Sequence, residues 1–424
     1  MHDFRVLRDQ VDALRSAMQR RGKLEALSPL IDRGVALDVE RRATIQAVEE
    51  RKAARNQNSQ EVARRKKAGA DAEGLIADGR ALGAEIARLE SELAASESEL
   101  QGILLELPNI TLDDVPAGDE SANRIERTWG TPRDSAGCKP HWEIAAALGI
   151  LDLERGAKIS GSGFVVMRGL GARLTRSLMN YFIDVHTSEH GYEEVWVPVV
   201  VNRQTMIGTG QLPKFEDDMY AIRGDDLYLV PTAEVPVTNL YRDELLDAAT
   251  LPRGFVAYTP CFRREAGAAG KDTRGLLRLH EFDKVEIVRY ATPEQAPGEH
   301  ERLTRHAETL LERLEIPFRR VLLAAGDTGN SSAKTWDLEA WAPGVGKWLE
   351  VSSCSTFSDY QARRASIRYR PAAGEKPRFV HTLNGSALAF PRVIACLLEQ
   401  YQQSDGSVVV PNVLRPYLGT DVLR

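Results

Sequence analysis

The stretch "CFRREAGAAGKDTRGLLRLHEF", residues 261–282, reads as two short strands joined by a glycine-rich loop. Arg263 and Glu265 stand two residues apart before the loop, and Phe282 and Glu286 stand four apart beyond it. Residues at even spacing on a strand share one face of a sheet. Arginine suits bidentate contacts with phosphate or carboxylate, and a phenylalanine ring can stack on a base. The stretch therefore predicts a β-hairpin with one face suited to a nucleoside triphosphate.

The loop of this hairpin holds Gly267, Gly270 and Gly275 together with the cations Lys271 and Arg274. Glycine allows a backbone to approach a ligand closely. Glycine spacing of this kind is weak evidence by itself, because an exposed hairpin held by salt bridges has the same composition. The pattern alone leaves both interpretations open.

The overall composition is that of a soluble protein with two or three domains. The 424 residues are 43% hydrophobic and 27% charged with a net charge of −6, so any nucleic-acid surface must be local. Four cysteines without a CxxC pair favour a reducing compartment and argue against a structural zinc site. A charged N-terminus and the lack of a long uncharged apolar stretch argue against a signal peptide and a membrane span. We therefore expect a cytoplasmic protein without zinc or a membrane partner.

Residues 1–107 predict an N-terminal helical domain. Apolar residues recur in a 4-3 pattern between Leu82 and Leu107, which is typical of a coiled coil. The run Ile31–Ala68 is also helical in composition, and glycines within Lys66–Gly74 interrupt it. Two long helices around one short break predict an antiparallel hairpin, here called the arm.

Cations cluster near the predicted tip of the arm. Residues 51–67 contain seven lysines and arginines against one acid, Glu61. The seven are Arg51, Lys52, Arg55, Arg64, Arg65, Lys66 and Lys67. A solvated helix face has this composition, and so does an arm that binds phosphates, because clustered cations gain affinity by releasing counterions. Composition does not distinguish the two.

The remainder of the chain changes character. Residues 108–128 are rich in prolines, turn formers and acids, and they predict a linker. Residues 129–424 predict a catalytic domain in which helices at Gly169–His186, Pro293–Glu315 and Ala387–Gln403 alternate with β-rich runs. Short turns separate many of these runs, which favours an α+β fold: an antiparallel sheet with flanking helices.

Three further strings carry polar groups with two possible meanings each. "LVPTAEVP" holds Thr232 and Glu234, which suit an ammonium group or a helix cap. "WLEVSSCS" holds Glu350 and Ser353, which are hard oxygen ligands for Mg²⁺ or the outward face of a strand. "TLNGSALAFPR" puts Arg392 in the early turns of a helix, near the positive end of its dipole or simply at the surface.

Together these strings resemble the motifs of the class II aminoacyl-tRNA synthetases. "FRRE" through "HEFDKVE", residues 262–286, is similar to motif 2, "GYEEVWVPVVV" around Pro198 resembles motif 1, and "LNGSALAFPR" within residues 383–398 resembles motif 3. The strings "LPNI", "VPAGDESAN", "TGQLPKF", "TAE" and "EVSS" resemble the seryl-tRNA synthetases in particular, in family order along the whole chain.

The resemblance implies activation of L-serine by ATP with Mg²⁺, and transfer of the serine to tRNA. Arg263, Glu265 and Arg392 are implied as catalytic residues. The implied ATP-binding residues are Arg263, Arg264, Glu265, Leu279, Phe282, Glu350, Val351, Ser352, Ser353 and Arg392. The implied serine-binding residues are Thr232, Ala233, Glu234, Arg263, Glu286, Asn384 and Ser386. Glu350 and Ser353 are implied as the Mg²⁺ ligands. The family further implies a homodimer whose arm, with the seven cations, embraces the long variable arm of serine tRNA.

The resemblance has departures. Bacterial members commonly carry a glycine-rich motif 3, whereas here Phe390 and Pro391 precede the arginine, and Arg264 is an additional arginine in motif 2. A specialised or inhibitor-resistant copy is one alternative. A relative that loads a carrier protein is expected to lack the full arm, and a non-enzymatic RNA-binding scaffold is not expected to keep the motif arginines and glutamates.

Overall fold

The computed structural model describes residues 1–266 and 274–424, which form two compact units, Met1–Pro108 and Asn109–Arg424. The helices of the first unit are α1 (Val6–Asp9), α2 (Val11–Arg20), α3 (Leu24–Lys67) and α4 (Glu73–Glu106). The helices of the second unit are α5 (His141–Ala147), α6 (Leu153–Ser160), α7 (Leu170–Ser188), α8 (Arg203–Thr209), α9 (Glu234–Thr238), α10 (Ala296–Arg313), α11 (Tyr360–Arg364), α12 (Phe390–Tyr401) and α13 (Arg415–Leu418).

The strands all lie in the second unit. They are β1 (Arg124–Trp129), β2 (Leu151–Asp152), β3 (Val166–Met167), β4 (Glu193–Glu194), β5 (Val200–Asn202), β6 (Leu227–Leu229), β7 (Leu245–Asp247), β8 (Arg253–Phe262), β9 (Glu281–Ala291), β10 (Phe318–Leu322), β11 (Lys334–Ala342), β12 (Lys347–Thr356), β13 (Arg368–Arg370), β14 (Arg378–Phe379), β15 (His381–Ala389), β16 (Val408–Val409) and β17 (Val422–Leu423).

The first unit is built around the long helices α3 and α4. Ion pairs between them join Arg33 to Glu99 at 2.7 Å and Lys52 to Glu90 at 2.7 Å. The partner numbers fall on α4 as they rise on α3, so the two helices run antiparallel. The turn between them lies within the predicted break, and the predicted helical hairpin is confirmed.

The main sheet of the second unit has the strand order β1-β10-β11-β12-β15-β9-β8-β4 among the described residues. Neighbours in it are antiparallel except β4, which runs parallel to β8. The helices α7, α10 and α12 pack against the sheet and bury one continuous apolar core with it. The predicted α+β fold with an antiparallel sheet and flanking helices is therefore confirmed.

Alternation along β9 separates the core from the opposite face of the sheet. Val285 and Ile287 are buried in the core formed with α7, α10 and α12. Val288 and Tyr290 belong to a second apolar cluster, and Glu286 shares their parity on the strand. This second face of the sheet carries the polar residues considered below.

Several boundaries differ from those expected, and strand pairing explains two of these differences. The predicted helix Ala387–Gln403 begins only at Phe390, because β15 stays paired with β9 as far as Ala389 opposite Lys284. Pro391 then occupies the first helical turn, where its missing N–H costs nothing. The segment expected as a linker packs on the second unit instead: the Leu112 N–H donates to the Ala333 carbonyl at 2.9 Å, and β1 pairs with β10.

Of the helices described, none is both long enough and apolar enough to cross a membrane.

Two glycines in first helical turns provide a matched stability test. A Cβ atom on Gly171, at the start of α7, would lie 2.4 Å from the backbone carbonyl oxygen of Ile150, whereas a Cβ on Gly298 in α10 would meet nothing within 4 Å. We expect Gly171→Ala to lower the free energy of unfolding by about 1–3 kcal/mol through this overlap. Gly298→Ala should raise it by up to about 1 kcal/mol, since alanine is the better helix former. Equal shifts in denaturant unfolding would contradict the packing described for α7.

Candidate active site

A cavity of about 590 Å³ opens on the second face of the sheet. Its wall is contributed mainly by the β8–β9 hairpin, β12, β15, the start of α12 and the segment around α9. It contains most of the residues predicted as a site: Thr232, Glu234, Arg263, Glu265, Leu279, Phe282, Glu286, Glu350, Val351, Ser352, Ser353, Asn384, Ser386 and Arg392. Residues scattered over 160 positions of sequence thus meet in one place.

The hairpin supplies a cation held against an aromatic ring. Cys261 pairs with Phe282 in the ladder, and the Arg263 N–H donates to the His280 carbonyl at 2.9 Å, which extends the pairing past the ends of both strands. The guanidinium carbon of Arg263 lies 5.1 Å from the centroid of the Phe282 ring. Its Nε donates to the Pro231 carbonyl at 3.4 Å. Contacts within the protein therefore orient the Arg263 side chain.

Glu265 reaches the cavity by a different route from the one predicted. Strand β8 ends at Phe262, and Glu265 has a left-handed backbone with φ of 53°, so strand alternation does not apply to Arg263 and Glu265. The carboxylate is held instead by an ion pair with Arg278, and both side chains line the cavity. Arg263 and Glu265 thus lie in the same cavity, as predicted, but the predicted cause, alternation along a strand, is wrong.

The predicted loop glycines and cations are only partly described. Gly267, Gly270 and Lys271 lie outside the described residues. Gly275 has φ of 62°, and a Cβ there would lie 2.4 Å from His141 Nε2. The Arg274 guanidinium lies 4.9 Å from the Trp142 ring centroid, and Arg274 does not line the cavity as described.

A β-bulge arranges the β12 side of the cavity. Leu338 pairs with Ser352 but its neighbour Glu339 pairs with Glu350, so Val351 is the extra residue. One extra residue reverses the alternation of a strand, which brings Glu350 and Ser353 to the same face. Without the bulge these two oxygen-bearing side chains would point to opposite sides of the sheet.

Arg392 joins the hairpin to β12. It lies in the first turn of α12, donates from Nη1 to the Glu350 carbonyl at 2.8 Å and from Nε to the Leu277 carbonyl at 3.1 Å. Its Nη1 also lies 3.3 Å from a carboxylate oxygen of Glu350. The cation thus spans two walls and closes the part of the cavity that contains Phe282.

The opposite part of the cavity contains two buried carboxylates, Glu234 and Glu286. Glu286 accepts a hydrogen bond from the Thr232 hydroxyl at 3.0 Å and forms a buried ion pair with Lys284. Ser386 lies directly opposite Glu286 in the β15–β9 ladder. Such a compartment suits a small ligand with an ammonium group and a hydroxyl donor.

The environment of Glu234 changes its acidity. Burial, and secondly the charge of Glu286, raise the pKa of Glu234 to about 7. The Gln361 amide opposes this shift by donating to the Glu234 carboxylate at 2.7 Å. The ionised form of Glu234 is therefore favoured as the pH rises through neutrality.

The oxygen atoms beside Glu350 fit a divalent cation. Asp337 pairs with Ser353 in the ladder, and its Oδ1 has no hydrogen-bond partner among the described residues. Burial and the neighbouring charge of Glu350 raise the pKa of Asp337 well above its ordinary value, which a cation at this place would relieve. Proteins bind Mg²⁺ through one or two carboxylates together with substrate phosphates. The carboxylate of Glu350 and the hydroxyl of Ser353 are ligands of the type that such a site needs.

Two predicted residues lie away from the cavity lining as described. The Arg264 guanidinium donates to the Asp217 carbonyl at 3.1 Å on the outside of the hairpin. The Ala233 side chain is buried in the apolar cluster with Val237 and Phe255.

The seven predicted arm cations all lie on α3 of the first unit and differ in their partners. Arg51 and Lys52 form ion pairs with acids of α4 at 3.0 and 2.7 Å, and Arg64 and Arg65 share Glu61. Within the described residues, no ion pair involves the other three, Arg55, Lys66 and Lys67. These three charges are the least compensated of the group.

Several residues of the site were not predicted. Gln211 and Phe215 of the "TGQLPKF" string line the cavity, and that string was noticed only as a family resemblance. His141 Nε2 accepts a hydrogen bond from the Leu276 N–H at 3.0 Å, so its Nδ1–H donates to Glu399 at 2.8 Å. This pair supports the returning end of the hairpin loop from behind. A histidine more than a hundred residues from its partners gives no local sequence signal.

Comparison with known proteins agrees with this geometry. The sequence model of the seryl-tRNA synthetase N-terminal domain matches residues 1–111, and that of the tRNA synthetase class II core domain (G, H, P, S and T) matches residues 214–401. The serine–tRNA ligase of Gemmatimonas aurantiaca is 65% identical over all 424 residues and 100% of both chains, and that of Geobacillus kaustophilus is 52% identical over 100% of both.

Solved structures give the same result. The crystal structure of seryl-tRNA synthetase from Pyrococcus horikoshii complexed with ATP is 38% identical, with a TM-score of 0.95 over 100% of this chain and 99% of that one. The cytoplasmic serine–tRNA ligase of Naegleria fowleri in complex with AMP is 30% identical, with a TM-score of 0.89 over 100% and 99%. The chain belongs to the seryl-tRNA synthetase family of class II aminoacyl-tRNA synthetases.

Proposed function

We propose that the cavity joins L-serine to ATP and that the arm presents serine tRNA to the resulting seryl-adenylate. As a member of its family, the chain is an ATP-dependent serine–tRNA ligase. The observation that carries the proposal for the site is the division of one cavity into two parts. One part has Arg263, Phe282 and Arg392, and the other has the buried carboxylates Glu234 and Glu286.

The first step is attack by the serine carboxylate on the α-phosphorus of ATP. The new P–O bond forms as the bond to the bridging oxygen breaks, and pyrophosphate leaves with the electron pair. Negative charge develops on phosphate oxygens, so fixed cations stabilise the transition state and no nucleophilic side chain is needed. Arg263 is proposed to contact both the α-phosphate and the serine carboxylate, which aligns the reacting atoms. When bound by Glu350 and Ser353, Mg²⁺ supplies further neutralisation of phosphate charge.

The second step transfers the seryl group. A terminal ribose hydroxyl of the tRNA attacks the seryl carbonyl carbon, loses its proton, and AMP leaves. The cavity keeps the adenylate aligned for this attack through the same contacts that aligned ATP. The remaining proposed ATP contacts are Glu265 at the adenine amine side, the backbone near Leu279, the adenine sandwich between Phe282 and Arg392, and the backbone of Val351 and Ser352.

Serine selection is assigned to the buried carboxylate compartment. Thr232, Glu234, Glu286, Asn384 and Ser386 are proposed to bind the ammonium and hydroxyl groups. Alanine lacks the hydroxyl, so it would leave buried polar groups without partners. Sites built in this way reject the deficient analogue by about 10⁴-fold or more without editing.

The arm is proposed to bind the long variable arm of serine tRNA through its backbone. Helical RNA is recognised largely by shape and phosphates, which suits uncompensated cations on a long helix. A match of both the arm domain and the core domain favours a tRNA acceptor over a carrier protein. We also propose that the protein works in the cytoplasm.

The protein is proposed to be a homodimer through the motif 1 edge of the sheet. Strand β4 is an edge strand next to β8, and Trp196, just beyond it, is 78% exposed. A large aromatic residue exposed beside an unpaired strand edge is typical of an interface.

The activation step predicts serine-dependent ATP–pyrophosphate exchange. We expect kcat/KM with alanine to be about 10⁴-fold lower than with serine, because of the unpaired pocket groups. Arg263→Ala should lower serine-dependent exchange by at least about 100-fold, as loss of one transition-state contact does. Arg264→Ala is the matched control and should stay within about twofold, since its guanidinium lies outside the cavity. Exchange that is equally fast with alanine would contradict the proposed pocket.

The arm predicts a selective loss of tRNA affinity. Replacing Arg55, Lys66 and Lys67 together by glutamine should raise KM for serine tRNA by at least about tenfold and reduce its salt dependence, while exchange stays unchanged. The matched control replaces Arg5, Arg8 and Arg88, cations of the same unit that are already paired with acids. Both triple variants are compared by aminoacylation at several salt concentrations. A similar loss of tRNA affinity in both would contradict the proposed role of the three cations near the tip of the arm.

The dimer predicts a mass in solution of twice the 47.0 kDa of one chain. Trp196→Asp should shift the protein towards monomer, because a charge would be buried in the interface. Ile125→Asp is the control, since Ile125 is 51% exposed on β1 at the opposite edge of the sheet. Sedimentation velocity distinguishes the outcomes, and a monomeric native protein would refute the proposal.

A further inference from the structure

Gln361 connects Glu234, in the buried carboxylate compartment, to the end of α8 and to strand β15. It is fully buried in the short helix α11. Its side-chain amide nitrogen donates to the Glu234 carboxylate at 2.7 Å and to the Thr209 carbonyl at 3.2 Å. Its amide oxygen accepts a hydrogen bond from the Thr382 hydroxyl at 2.7 Å. The amide nitrogen of Gln361 therefore has two acceptors, and its amide oxygen has a donor.

The Glu234 carboxylate, the Thr209 carbonyl and the Thr382 hydroxyl together determine which way this amide points. With the oxygen held by Thr382, the nitrogen faces Glu234 and the Thr209 carbonyl. The reversed amide would place an oxygen against a carboxylate and a carbonyl, where three acceptors would lack a donor in a buried environment. Such an arrangement costs free energy, so one orientation is strongly favoured.

The helix that carries Gln361 is itself held firmly. Arg364, one turn further along α11, donates from Nε to the Ile207 carbonyl and from Nη2 to the Leu212 carbonyl, both at 2.6 Å. These carbonyls flank the Thr209–Gln211 segment, which lines the cavity. Helix α11 therefore connects the "TGQLPKF" segment, the strand β15 and Glu234 into one rigid assembly.

The surroundings of Glu234 disfavour its ionised form, so a hydrogen-bond donor is needed to stabilise its carboxylate. It is buried, and the charged groups that face it are Glu286 and Lys284 of β9 and Arg263 at the end of β8. Glu286 repels its charge, while Lys284 is already paired with Glu286. Among the described residues, the Glu234 carboxylate accepts a hydrogen bond from Gln361. A charged donor at this place would neutralise the carboxylate, whereas a neutral amide orients it and leaves its charge available to a ligand.

We infer that Gln361 is a positioning residue for serine recognition, which holds the Glu234 carboxylate aimed into the cavity, and that the Thr382 hydroxyl orients Gln361 for this task. The inference rests on the proposed function and deepens it, because it places a specificity element in α11, outside the three class II motifs. Gln361 does not line the cavity as described, so it acts through Glu234. Its loss should therefore weaken serine binding and leave ATP binding unchanged.

The test compares Gln361→Met with the native enzyme in ATP–pyrophosphate exchange. Methionine has a similar volume but donates no hydrogen bond. We expect KM for serine to rise at least about tenfold, as loss of a hydrogen bond to a charged group does, and KM for ATP to stay within about twofold. The native KM for serine should fall as the pH rises through about 7, where Glu234 ionises. In the variant this fall should move to higher pH, because a donor that favours the charged form has been removed.

Thr382 provides a second variant and its control. Thr382→Val removes the orienting hydroxyl at nearly constant volume and should change KM for serine and its pH dependence in the same direction, while Thr382→Ser keeps the hydroxyl and should resemble the native enzyme. If Gln361→Met does not fold, the comparison of the two Thr382 variants decides the question.

Two outcomes would overturn the inference while leaving the proposed function intact. One is a serine KM within about twofold of native in Gln361→Met and Thr382→Val. The other is a parallel rise of both substrate KM values without a displaced pH profile, which indicates a merely structural role. A native enzyme without serine-dependent exchange would instead refute the proposed function itself, and the inference with it.

Discussion

The burial of two carboxylates in one small compartment is the constraint on which the rest of the site depends. Glu234 and Glu286 repel each other where water cannot screen them, and each ionised form must be stabilised by a neighbour. The two differ: Glu286 pairs with a cation, Lys284, whereas the partner of the Glu234 carboxylate among the described residues is an amide, from Gln361. The charge of Glu286 is therefore neutralised within the protein, and that of Glu234, when it is ionised, is left for a ligand to neutralise.

The antiparallel sheet makes this arrangement possible because its register fixes which residues meet. Pairing of β9 with β15 places Ser386 opposite Glu286, and pairing of β8 with β9 brings Arg263 to the Phe282 ring. The bulge at Val351 then turns the side-chain oxygens of Glu350 and Ser353 to the same side. A sheet of this kind presents one face to packed helices and leaves the other for polar chemistry. One register therefore brings together both parts of the cavity.

Sequence reasoning succeeded where periodicity or a family string applied and failed where the backbone departs from regular geometry. Alternation on β9 placed Phe282 and Glu286 correctly on one face. It could not account for Glu265, whose backbone is left-handed, or for the bulge that unites Glu350 with Ser353, since neither feature has a period. Gln361 escaped notice because a buried amide on a five-residue helix has no local signature. Long-range partners of this kind emerge only from the packed fold.

The arm illustrates how the same residue type serves two purposes along one helix. Cations that face α4 form ion pairs across the coiled coil, as Lys52 does with Glu90, and so fix the antiparallel register of the two helices. Such pairs contribute little to affinity for an external polyanion, because each charge is already neutralised. Towards the turn, Lys66 and Lys67 are exposed at the end of α3, and no ion pair among the described residues involves them. The pairing of individual cations with acids, more than the number of cations on α3, therefore determines where the arm can attract phosphate.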